Sequence, residues 1–256
     1  MSSFDLFMFM GQSNMAGRGI SNIHHPEKAP TLIEGAGYEF RAISDPSKLY
    51  PIEEPFGVYE NNPDGIYEPD KKTGSLVTSF VNAYYTACHI PVIAVSASKG
   101  GSVIAQWQGN ADYLSDAIKR LKLTEAYCKE HEIHIAHKYM VWCQGESDAD
   151  QQTPLPVYKQ SFEKMLNAML TNGIEMCFMI TTGHYNGIHN MDYTAIINTQ
   201  YELAHSLSKV LLVSDDFISM KERGLMKDSY HYYQAGYNEV GTNAGSHTGN
   251  YRNSIK

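Results

Sequence analysis

A serine becomes a nucleophile when a base takes its proton, a second group holds that base in one orientation, and donors wait where the oxyanion forms. Three short segments offer a candidate for each part: Gly11-Gln12-Ser13-Asn14-Met15, Gln144-Gly145-Glu146-Ser147 and Asp228-Ser229-Tyr230-His231. Ser13 follows an apolar run from Phe4 to Met10 and a glycine, which puts its hydroxyl where a buried strand ends and the chain turns. His231 lies three residues after Asp228, so one loop can carry both the imidazole and the carboxylate that orients it. Asp-x-x-His alone recurs by chance, and its meaning depends on the company of the other two segments.

These segments need a scaffold that brings distant parts of the chain together. Short apolar runs without strict alternation fall at Phe4 to Met10, Pro91 to Ser96, Lys138 to Cys143, Glu175 to Thr181 and Val210 to Ser214, the pattern of strands buried on both faces. Helical spacing fills Ser75 to Cys88, Ala111 to His131, Pro156 to Thr171 and Asp192 to Leu207, and a last helix begins near Gln234. Strand and helix alternate. The pattern predicts an α/β protein, a three-layer, doubly wound (flavodoxin-like) sandwich around a mostly parallel sheet of five strands. Ligands bind such sheets outside the carboxyl ends of the strands. Those ends run into Gly11-Gln12-Ser13, Lys99-Gly100-Gly101-Ser102, Gln144 to Asp148, Thr182 to Asn186 and Ser214-Asp215-Asp216, with Asp228 and His231 just before the last helix. The candidates converge on one edge.

With 256 residues, 43% of them hydrophobic, the chain has ample material for a core and reads as one domain over 1–256. A formal net charge of -8, with 19% charged residues and no lysine or arginine block, argues against nucleic-acid and anionic-membrane surfaces and leaves small neutral substrates. No apolar stretch approaches the roughly 20 residues that span a bilayer. Cys88, Cys128, Cys143 and Cys177 sit in apolar or helical stretches without a Cys-x-x-Cys pair and read as structural thiols. The amino terminus lacks the pattern of a signal peptide, so the expectation is the cytoplasm, or secretion where an N-terminal segment has been removed. A long insert, about 18–74, has little periodicity and much Pro, Gly, Asn and Asp; it reads as a surface excursion that either rims the site or packs elsewhere as an irregular loop. The polar tail from Thr248 to Lys256 reads as frayed.

Gly11-Gln12-Ser13-Asn14-Met15-Ala16-Gly17, Gly100-Gly101-Ser102 with Trp107 following, Trp142 to Asp148 and Asp228 to His231 resemble, in order, the successive blocks of the SGNH hydrolases. Within them the chain is similar to the carbohydrate esterase branch that contains acetylxylan esterases and the sialate O-acetylesterase domain. The resemblance implies the SGNH-hydrolase fold, with Ser13 as nucleophile, His231 as general base and Asp228 as the residue that orients it. It implies an oxyanion hole built from the N–H of Ser13, the N–H of Gly100 or Gly101, and the side-chain amide of Gln144. The wider superfamily has asparagine at that third position; glutamine donates through the same NH₂ but is one methylene longer. The Gly-x-Ser-x-Gly elbow of the larger α/β-hydrolases is absent, because Met15 stands where its second glycine would be. The implied chemistry is removal of acetyl or short acyl groups from carbohydrates through an acyl-enzyme, without a cofactor. The implied partner is an acetylated carbohydrate. The alternatives are an inactive carbohydrate-binding protein on the same fold and a lipase- or thioesterase-type member of the superfamily.

Gln12, Asn14, Glu146, Arg18 and Trp107 are expected to support the site or touch substrate. Glu146 either hydrogen-bonds near Ser13 and Gln144 or pairs with Arg18, with a catalytic acid as the runner-up. Trp107 either stacks on a sugar or packs in the core, whereas Trp142 reads as core. Tyr185, Tyr230 and Tyr232, among 18 tyrosines, could line a sugar pocket. His24, His25, His184 and His189 have no ligand-like spacing, and no metal is expected. Oligomeric state stays open.

Overall fold

In chain order the elements are β1 (Phe4–Gly11), α1 (Ser13–Ala16), β2 (Gly37–Phe40), β3 (Leu49–Pro51), α2 (Val77–Cys88), β4 (Val92–Ser98), α3 (Asp112–Glu130), β5 (Ile135–Cys143), α4 (Glu146–Asp150), α5 (Leu155–Thr171), β6 (Met176–Ile180), α6 (Thr194–Ser206), β7 (Val210–Ser214) and α7 (Gln234–Ser254). They come from a computed structural model that describes residues 3–20, 27–109, 111–189 and 191–255. His24 and His25 lie outside the described residues.

The apolar run of β1 is buried from Asp5 onward, and its side chains alternate between two cores. Leu6, Met8 and Met10 pack with residues of α3, α5 and α6, such as Leu121, Phe162 and Leu203. Phe7 and Phe9 pack with Phe80 and Tyr84 of α2 and Val240 of α7. A strand that is apolar on both faces needs a cover on each, and every such side chain contributes about 1.5–3 kcal/mol. That requirement produces the three layers. The sheet order is β3-β2-β4-β1-β5-β6-β7. Strands β4, β1, β5, β6 and β7 run parallel in that order, as in a flavodoxin-like sheet, and β1 is the point from which the chain departs in opposite directions.

The expectation of five strands undercounts the sheet, which has seven among the described residues. The two extra strands come from the insert: β2 pairs in parallel with β4, and β3 pairs antiparallel with β2. Strands of four and three residues are too short to announce themselves by period. The insert is also tied down by buried charge. Lys72 Nζ donates to the Gly57 carbonyl at 2.9 Å and to Ser96 Oγ at 2.8 Å. Arg120 of α3, wholly buried, pairs with Asp116 at 2.8 Å and donates to the carbonyls of Ser96 and Glu60. Buried ions on several elements are satisfied only when all of those elements are in place.

The tail is not frayed as far as Ser254, the end of α7, and Thr248 is buried. Glycines every fourth residue let this helix lie against α2: a Cβ on Gly241 would come within 2.3 Å of the Leu76 carbonyl oxygen, and one on Gly245 within 2.2 Å of that of Phe80. Further along, Arg252 Nε donates to Asp5 Oδ2 at 2.7 Å, and the Tyr84 hydroxyl donates to the same oxygen. Asp5 is wholly buried at the start of β1, so this cluster joins β1, α2 and α7. No helix among the described residues is long and apolar enough to cross a membrane. Arg252→Ala should leave the Asp5 carboxylate without its cation and lower unfolding free energy by about 3 kcal/mol, read from urea denaturation; a loss under about 1 kcal/mol, the value of a surface pair, would refute this role.

Candidate active site

The parallel register brings three strand ends level. Gly11 stands opposite Ser98 of β4 and opposite Cys143 of β5, so the loops that follow all leave the sheet at one height. The Gly11 carbonyl accepts the Lys99 N–H at 2.9 Å, and the Gln12 N–H donates to the Cys143 carbonyl at 2.9 Å. Gly11 has a φ of +134°, and a Cβ there would lie 2.0 Å from the Cys143 carbonyl oxygen. No other residue type fits this turn.

Around it lies a pocket of about 250 Å³ lined by Gln12, Ser13, Arg18, Gly100, Gly101, Glu146, Ser147, Asp150, Tyr230 and His231. Ser13 opens α1 and is 7% exposed. His231 and Asp228 occupy the loop before α7, as the spacing predicts. His231 Nδ1 lies 3.0 Å from both carboxylate oxygens of Asp228, and Asp228 Oδ1 also accepts the N–H groups of Tyr230 and His231 at 2.8 Å each.

Asn14 and Gln12 knit the loops together. Wholly buried Asn14 donates through Nδ2 to Glu146 Oε1 at 2.6 Å and to the Tyr230 carbonyl at 3.2 Å, and accepts from the Tyr237 hydroxyl at 2.7 Å. One amide thus holds α4, the His231 loop and α7 against the turn that carries Ser13. Gln12 Oε1 accepts the N–H groups of Gly145 at 3.1 Å and Ser147 at 3.3 Å.

The ionisable groups are driven in different directions. Burial lowers the pKa of His231 below the usual 6.5, and the charges of Arg18 and Lys227 act the same way against the opposing pull of Asp228. Asp228 is held below the ordinary carboxylate value: burial works to raise it, but the N–H groups of Tyr230 and His231 and the His231 ring outweigh that. Glu146 is pushed up to about 7, chiefly by burial, with its Asn14 hydrogen bond pulling down and the Asp150 charge pushing up.

Several expected roles need correction. The Gln144 side chain is wholly buried, and its Nε2 donates to the Ser102 carbonyl at 3.1 Å and to Asp148 Oδ2, so both amide hydrogens face away from the pocket. The Gly100 N–H is also engaged, donating to both carboxylate oxygens of Glu68 at 3.1 Å. Among the described residues the Gly101 N–H has no such partner, and this leaves Gly101 as the glycine able to serve an oxyanion. Arg18 pairs with Glu68 and not with Glu146. Trp107 is wholly buried, donates Nε1–H to Ser102 Oγ at 3.0 Å and packs edge-on against Trp142, which is core as expected. Of the tyrosines, Tyr230 lines the pocket, Tyr185 packs against it, and Tyr232 stacks on Phe217 in the core. Among the described residues no group of His, Cys, Asp or Glu is arranged to hold a metal ion.

Asp150 and Glu68 escaped the sequence reading. Asp150 stands four residues after Glu146, the spacing of one helical face, and that was a usable signal. Glu68 comes from the insert, and no local pattern marks it. Its carboxylate spans Arg18 and the Gly100 N–H, so it fixes the loop that presents Gly101. Glu68→Gln should lower kcat on an aryl acetate by roughly 10- to 100-fold, through misplacement of that loop, with little change in KM; kcat equal to wild type would show that the loop holds itself.

In fold, the chain is similar to a protein of Arabidopsis thaliana, 20% identical with a TM-score of 0.69 over 96% of this chain and 98% of that one. It is also similar to a carbohydrate acetylesterase from Xanthomonas citri, 14% identical with a TM-score of 0.59 over 96% of this chain and 57% of that one. No curated protein matches the chain in sequence. The family model described as "Carbohydrate esterase, sialic acid-specific acetylesterase" matches residues 3–248, nearly the whole of the fold that carries the pocket. The chain therefore belongs to this carbohydrate esterase family and is a carboxylic ester hydrolase.

Proposed function

We propose that the protein removes acetyl, or similarly short acyl, groups from carbohydrate hydroxyls through an acyl-enzyme on Ser13. The observation that carries this reading is the His231 imidazole, held through Nδ1 at 3.0 Å from both Asp228 oxygens in a pocket that Ser13 also lines. With Nδ1 bound to the carboxylate, Nε2 is the nitrogen left to take a proton. Ser13 Oγ attacks the ester carbonyl carbon, its proton passes to His231 Nε2, and the carbonyl electron pair moves onto oxygen. The N–H groups of Ser13 and Gly101 receive that charge. Collapse of the intermediate breaks the bond to the sugar oxygen, which takes the proton from His231. Water then attacks the acyl-serine with the same base, releasing the acid and restoring Ser13. A pocket of about 250 Å³ falls under the roughly 300–1,000 Å³ of drug-sized sites, which favours a short acyl group.

A serine-directed organophosphate should modify Ser13, located by mass spectrometry, and Ser13→Ala should release no acetate from acetylated sugars; an adduct elsewhere, or release by the variant, contradicts the reading. Asp228→Asn should lower kcat on the order of 10⁴-fold, the loss seen when a triad is deprived of this carboxylate. His231 acts as a base only when neutral, and its pKa lies below 6.5. The kcat/KM profile should therefore rise with pH along an acid limb whose midpoint is below 6.5; a midpoint above it would mean that another group is titrating.

A further inference from the structure

The triad leaves Glu146 unused. Its side chain is 3% exposed and lines the same pocket as Ser13 and Gly101. Asn14 Nδ2 donates to Oε1 at 2.6 Å, whereas buried Oε2 has no hydrogen-bond partner among the described residues. No described lysine, arginine or histidine pairs with it, because Arg18 is committed to Glu68. A buried carboxyl group with one side-chain donor and no cation is costly to ionise, and burial outweighs the pull of Asn14 and of the Glu146 and Gly145 N–H groups. The oxyanion hole, meanwhile, has two backbone donors and lacks a third, since the Gln144 amide is occupied elsewhere.

We propose that Glu146 is the third oxyanion donor, a neutral carboxylic acid whose Oε2–H meets the substrate oxygen that becomes negative when Ser13 attacks. The proposal rests on the reading of Ser13 as nucleophile. The Asn14 N–H needs a lone pair on Oε1, and this leaves the proton to Oε2. During attack Glu146 keeps its proton; the serine proton goes to His231, and Glu146 contributes a hydrogen bond alone. An ionised carboxylate here would face the developing negative charge and oppose it, so the neutral form is the active one. Carboxylic acids do serve as oxyanion donors where apolar surroundings keep them protonated.

The neighbours are consistent with that state. Asp150, one turn further along α4, repels a charge on Glu146. Cys143 of β5 and Tyr158 of α5, both within electrostatic reach, are held protonated by burial. Tyr193, just before α6, and Tyr232, beside His231, are held so as well. His231 is displaced toward its neutral form, and the Arg18 charge is matched by Glu68.

The test is the pH dependence of kcat on an aryl acetate for the wild type, Glu146→Gln and Glu146→Ala, with Ser13→Ala as control. Wild-type kcat should descend on the alkaline side as Glu146 ionises. Glu146→Gln can donate through its amide without titrating; it should keep kcat within about tenfold of wild type near pH ~6 and show no alkaline descent. Glu146→Ala should lose about 10²- to 10³-fold in kcat with KM little changed. A Glu146→Gln variant as damaged as Glu146→Ala at an unchanged Tm, or an alkaline descent that persists in Glu146→Gln, overturns the proposal. If Glu146→Ala does not fold, the wild-type and Glu146→Gln profiles decide it. Turnover by Ser13→Ala would overturn the nucleophile reading instead, so the two failures are distinguishable.

Discussion

The peptide that ends β1 is held from both sides, and the site follows from that. One hydrogen bond runs from Lys99 to the Gly11 carbonyl and another from Gln12 to the Cys143 carbonyl. Rungs in a parallel ladder are evenly spaced, so once these two are set, the loops after β1, β4 and β5 cannot leave the sheet at different heights. Ser13, Gly101 and Glu146 meet for this reason, although they are remote in sequence. Gly11 makes the approach possible, because the Cys143 carbonyl occupies the space of a side chain. The strands themselves are pinned by their two apolar faces, since a slip of one residue would exchange the cores.

How much of this was legible depended on the kind of interaction involved. Strands buried on both faces write unbroken apolar runs, and β1, β4, β5, β6 and β7 were readable from those, as the long helices were from their spacing. β2 was not readable: it is four residues long and contains Glu39, buried because Arg41 and the Gly57 N–H satisfy its carboxylate. The order of α7 up to Ser254 was not readable, because polar residues at a chain end ordinarily fray. Here glycines allow a close approach to α2 that holds this end in place. In the site, Ser13, Asp228 and His231 could be named by residue type and company. Which side chain of the Gln144-to-Glu146 turn faces the pocket could not, since successive residues point in different directions and backbone rotation, not residue type, decides. Glu68 reaches Gly100 across 32 positions, and no local pattern encodes such a contact.

Two carboxyl groups close to one pocket experience opposite fields. Asp228 receives three donors, two from the backbone and one from His231, and is stabilised as an anion. Glu146 receives a single side-chain donor, with the Glu146 and Gly145 N–H groups adding a weaker pull, sits beside another acid and has no cation among the described residues. Divergence of this kind separates the group that orients a base from one suited to remain protonated, and it arises from loop geometry without any difference in intrinsic acidity.

The attachment of Glu68 to the Gly100 loop has a consequence for how such enzymes can diversify. Loops that only border a pocket can be exchanged between homologous proteins to change what is admitted. In this chain the segment that supplies β2, β3 and the buried Lys72 also supplies the carboxylate that holds a backbone amide in place. A chimera that replaced the segment wholesale would forfeit the geometry of the reacting centre together with the old selectivity. Successful grafts would have to keep Glu68 and its two partners and vary only what lies outside them.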